Sequence, residues 1–112
     1  MATLTSELVE QFERDGVVVV RGAISRDWID RLAEGVEYNR THPSEWSHWY
    51  TSRDESVGFW SDYVTWRDVP AYRAAVFESG LADLAVELMR SDEARFFHEH
   101  VLVKEPGAAE RT

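Results

Sequence analysis

One run near the C-terminus constrains the fold more than any other. Phe96-Phe97-His98-Glu99-His100-Val101-Leu102-Val103-Lys104-Glu105-Pro106-Gly107 mixes aromatic and β-branched residues and closes on a Pro-Gly pair. It predicts a long strand over 94–104 that ends in a turn. Such a strand needs a partner, because unpaired backbone N–H and C=O groups on an apolar edge invite association. The sequence stops at Thr112, before another strand can follow. The expectation is the front part of a larger α+β domain, spanning 1–112 as a single incomplete unit. A small orthogonal helix bundle is the alternative.

Upstream, Leu4, Leu8, Val9 and Phe12 fall on one face of a helix over 4–15, capped by Thr3 or Thr5 and closed by Gly16. Val17 to Arg21 reads as a short buried strand. Ser25 opens a second helix with Trp28, Ile29, Leu32, Ala33 and Val36 inward, ending near Arg40 ahead of His42-Pro43. Residues 41–61 have no clean period. Their density of Trp, Tyr and Phe predicts an ordered loop suited to substrate gating or an interface, or else packed over the helices. A helix over 66–77 is opened by Asp68 with Pro70 in its first turn, and Ser79 caps another carrying Leu81, Leu84, Ala85, Leu88 and Met89.

Composition narrows the function. With 112 residues the chain is one domain at most, and a 44% hydrophobic content is globular. A net charge of −9 argues against nucleic acid or an anionic membrane as the main partner. The lack of cysteine excludes disulfides and thiolate zinc sites. The acidic N-terminal segment has no basic n-region, and the apolar run Val17 to Val20 is far too short to span a bilayer. A cytoplasmic location is expected.

The chemistry-bearing residues lie on the terminal strand. Alternation places Phe96, His98, His100, Leu102 and Lys104 on one face, and Phe97, Glu99, Val101 and Val103 on the other. His98 and His100 either offer two imidazoles to a metal or act as core residues bonded to neighbours; His42 and His48 sit in a distant loop. Lys104 is the only lysine. It is either a surface residue or a point charge for a carboxylate or phosphate.

These residues also resemble a known family. Phe12-Glu13-Arg14-Asp15-Gly16-Val17-Val18-Val19-Val20-Arg21-Gly22 looks like its opening helix and strand, and Tyr63 to Arg67 through Leu81 to Ala85 is similar to its middle helices. Phe97 to Gly107 closely resembles its strand leading into the active site. The family is the phytanoyl-CoA dioxygenase-like group of iron(II) and 2-oxoglutarate-dependent oxygenases. The resemblance implies a double-stranded β-helix (jelly-roll) with external helices, iron held by two His and one Asp, and 2-oxoglutarate as co-substrate. The family's His-x-Asp motif begins just beyond the Pro-Gly turn, where this sequence ends, so no iron ligand is carried over. Lys104 matches the lysine near the 2-oxoglutarate carboxylate, with His98 and His100 as further cofactor-side positions.

The expected function is thus the N-terminal part of an oxygenase that hydroxylates a small organic substrate, inactive alone for want of metal ligands. The alternative is a freestanding, non-enzymatic α+β module that binds a partner or dimerises through its exposed terminal strand. A metal site formed by His98 and His100 across a symmetric dimer is a further possibility.

Overall fold

The computed structural model describes residues 4–50 and 58–108. Among these, four helices accompany one small antiparallel sheet of three strands, a mixed α+β arrangement.

Helix α1 (Ser6–Asp15) starts where the Thr5 hydroxyl accepts the Leu8 N–H (3.3 Å) and stops at Gly16, whose φ of 74° suits a residue without Cβ. The following valines form no strand. Val17 and Val19 are 65% and 66% exposed, while Val18 and Val20 are half-buried, and the segment has no strand partner among the described residues. β-propensity sets local conformation, but a ladder also needs a neighbour.

Helix α2 (Arg26–Thr41) is capped by Ser25, whose hydroxyl accepts the Trp28 N–H. Its buried positions are Gly35 and Asn39, while Ile29 is 45% exposed and Ala33 faces solvent. Gly35 lies where α2 packs closely on α3 (Pro70–Glu78). A Cβ there would lie 2.8 Å from that of Ala71. The predicted opening by Asp68 shifts: residues 65–68 form a turn, Val69 is the cap residue without a side-chain bond, and Pro70 occupies the first position. Helix α4 (Leu81–Met89) begins after Gly80 (φ 84°), with the Ser79 hydroxyl accepting the Leu81 N–H, and packs on α1.

The region expected to be a loop contains the first strand and the start of the second. Strands β1 (His48–Trp49) and β2 (Phe59–Tyr63) pair antiparallel, with His48 opposite Ser61; residues 51–57, between them, lie outside the described residues. The terminal strand is shorter than predicted. Only His100–Lys104 forms β3, pairing with β2 from Phe59↔Lys104 to Tyr63↔His100. β2 is buried from Phe59 through Asp62, so both its faces are covered and no period of two shows in its sequence.

Candidate functional site

The register divides the sheet side chains into two faces. Directly opposed residues share a face, so Phe59, Ser61 and Tyr63 lie with Lys104, Leu102 and His100, while Trp60 and Asp62 lie with Val103 and Val101.

The second face is anchored to the helices by two carboxylates. Asp62 is 0% exposed, as is Asn39 of α2, whose amide donates to it at 3.0 Å. The Ser44 N–H (2.8 Å), the Ser44 hydroxyl (2.5 Å) and the Tyr63 N–H (2.9 Å) complete its shell. Burial by itself pushes this carboxyl up; the Ser44, Asn39 and Tyr63 donors outweigh it and hold it below the ordinary carboxylate value. Tyr72 of α3 donates to Asn39 Oδ1 (3.3 Å). Burial, then the charges of Glu99 and Asp62, raise its phenol well above the usual range, keeping the proton in place. Glu99, ahead of β3, accepts the Thr65 and Trp66 N–H groups and the Thr65 hydroxyl (2.5, 3.1 and 2.7 Å), fixing the turn that feeds α3. None of this network was singled out from sequence. The available signal was polarity out of place: Asn39 continues the stripe of Leu32 and Val36, and Glu99 shares a strand face with Val101 and Val103.

Beside it, a cavity of about 670 Å³ lies among α2, α3, α4 and the segment before β3. Its walls include Leu32, Val36, Trp66, Val76, Ala85 and Val101.

The first face carries the residues expected from sequence. Lys104, at the end of β3, is exposed; its Nζ sits 5.8 Å from the centre of the Phe59 ring and makes no ion pair among the described residues. His100 is exposed and His98 half-buried, their rings 5.4 and 6.2 Å from that of Tyr63, which Trp46 approaches at 6.0 Å. Tyr50 stacks on Phe59 at 4.4 Å. The three candidate residues therefore share one side of the molecule, with Lys104 and His100 at opposite ends of a five-residue strand. His48, which the sequence placed in a remote loop, is brought to this same face by β1, whereas His42 stays at the end of α2 against Tyr38. Among the described residues, no group of three or more His, Cys, Asp or Glu is arranged to hold a metal ion. Nor is any described helix long and apolar enough to cross a membrane. No family model, curated protein or solved structure matches the chain.

Proposed function

We propose that this chain supplies the helical shell and first strands of an iron(II)/2-oxoglutarate-dependent oxygenase acting on a small organic substrate. The observation that carries the reading is Lys104: an exposed ammonium against an aromatic wall, on a sheet face it shares with His98 and His100. A lysine at a strand end, in no ion pair among the described residues, suits the carboxylate of an oxo acid. Trp46 and Tyr50 flank that face and can exclude water from a bound molecule. Iron does not fit the described residues: His98 and His100 offer two imidazoles at most, short of a facial triad. The role assigned to these residues is therefore to receive the co-substrate carboxylate and to wall the substrate, with no redox step of their own.

The test is a titration of the isotope-labelled chain with 2-oxoglutarate, followed by amide chemical shifts. The reading predicts weak binding with shifts concentrated around Phe59, Val103 and Lys104, and their loss in Lys104→Met. Shifts that persist in Lys104→Met, or that map elsewhere, refute it. Production of succinate by the 112-residue chain with iron(II) would refute the claim that it is incomplete alone.

A second reading has its own observation. The bonds from Val64 N–H to Glu99 O and from Glu105 N–H to Gly58 O turn the backbone of His100, Leu102 and Lys104 away from β2. That edge could pair with a second copy around Leu102, making a binding or dimerisation module. Light scattering separates the two: a concentration-independent monomer excludes pairing between copies.

A further inference from the structure

We propose that the cavity of about 670 Å³ between α2, α3, α4 and β3 is a binding site for one uncharged, hydrocarbon-rich small molecule. Its size falls in the range of small-molecule sites, and its walls are aliphatic and aromatic. Trp66 forms the ring wall, with Phe96 edge-on at 5.5 Å and 81° and Phe77 at 6.0 Å. Leu32 and Val36 of α2 and Ala85 of α4 supply the aliphatic surface.

The chemistry of the occupant follows from the polar atoms at the wall. Tyr72 already donates to Asn39, and Glu99 already accepts three donors from Thr65 and Trp66. Arg95 stands at the rim, its side chain 85% exposed and paired with Glu93 at 3.0 Å. The charged and hydroxyl side chains of the wall, Tyr72, Glu99 and Arg95, are thus each engaged with a neighbour, and the rest of the lining is aliphatic and aromatic. An apolar occupant loses nothing on desolvation and also covers Phe77 and Met89, which are 64% and 51% exposed at the mouth. Val101 and Glu99, which reach this cavity, lie on the face of the sheet opposite Lys104, so the site is separate from the one assigned to 2-oxoglutarate.

The experiment is fluorescence titration of the full chain with the uncharged probe N-phenyl-1-naphthylamine. The expected result is saturation at one probe per chain, displaced by naphthalene and unaffected by 2-oxoglutarate. Ala85→Phe, which fills the cavity, should weaken the probe at least about tenfold. Phe97→Ala removes an 87% exposed apolar ring that does not line the cavity, and should leave binding unchanged. Should Ala85→Phe fail to fold, Met89→Ala at the rim provides the same reading through a several-fold loss of affinity. Absence of enhancement, more than one probe per chain, or equal binding by the wild type and the folded cavity variant overturns the proposal. Loss of binding in Phe97→Ala alone also overturns it, because the probe then reports a surface patch.

Discussion

Replacing Asp62 by Asn tests whether a buried anion, rather than mere shape, holds the sheet to α2. The two side chains are nearly isosteric, so packing is preserved. In the wild type one carboxylate oxygen accepts from Asn39 and the Ser44 N–H, and the other from the Ser44 hydroxyl and the Tyr63 N–H. An amide must turn an NH2 group toward one of these pairs; the Ser44 hydroxyl or a flipped Asn39 amide can accept from it, but the backbone N–H in each pair, of Ser44 or of Tyr63, cannot. At least one buried donor then loses its partner, at about 1–3 kcal/mol, and the remaining bonds lose their charge assistance. The expected destabilisation is about 2–4 kcal/mol, a fall in Tm on the order of 10–20 °C for a domain of this size. Urea and thermal unfolding followed by tryptophan fluorescence measure it. The pH dependence carries a second signature. Because the folded carboxyl is held below its ordinary value, its contribution is present above the unfolded carboxylate pKa and is lost as pH falls through the lower folded value. The stability gap between wild type and Asp62→Asn should therefore be constant near neutrality and close in acid. A gap under about 1 kcal/mol at pH 7, or one that widens on acidification, refutes the reasoning.

Two further perturbations probe the same frame. Gly35→Ala gains about 1 kcal/mol of helix propensity but places a methyl 2.8 Å from the Ala71 Cβ and 3.1 Å from the Tyr72 ring. Overpacking of this kind costs about 1–3 kcal/mol, so denaturant unfolding should show net destabilisation, and a more stable variant would contradict the α2–α3 contact. Glu99→Gln leaves the Thr65 and Trp66 N–H groups competing for a single carbonyl oxygen, and should cost about 1–3 kcal/mol by thermal unfolding, with hydrogen-exchange protection falling first in the turn before α3. An unchanged exchange pattern there would contradict the assignment.

What the sequence disclosed was local. Thr5, Gly16, Ser25 and Pro70 act within one turn of chain, and each stands in the structure where its own conformational preference puts it. Pairing is non-local and was misread in both directions. Val17 to Val20 has strand composition without a strand neighbour among the described residues, whereas Phe59-Trp60-Ser61-Asp62-Tyr63 has a neighbour on each side and no alternation to reveal it. The faces of β3 followed correctly from its period of two, since the side-chain alternation of a strand survives any error in its length. Asn39 was hidden for a different reason: a stripe of apolar residues predicts burial, and only a buried acceptor elsewhere in the chain explains an amide within it.

The residues that stabilise the sheet also decide what its other face displays. Three short strands cannot hold a register by backbone bonds alone, and β1 contributes only two residues. Asp62 reaches Asn39 and Ser44, while Glu99 reaches Thr65 and Trp66, so β2 and the approach to β3 are each pinned by a carboxylate. Both point to the same face, because Asp62 pairs with Val101 two residues beyond Glu99. A slip of one residue would invert every side chain of the slipped strand. It would turn Lys104 toward the helices and the wall residue Val101 outward, and leave the Glu99 and Asp62 shells unmatched. Fixing these two acids therefore fixes Lys104, His100 and Tyr63 on the opposite side. The presentation of the proposed carboxylate site is a consequence of buried hydrogen bonds that never touch it.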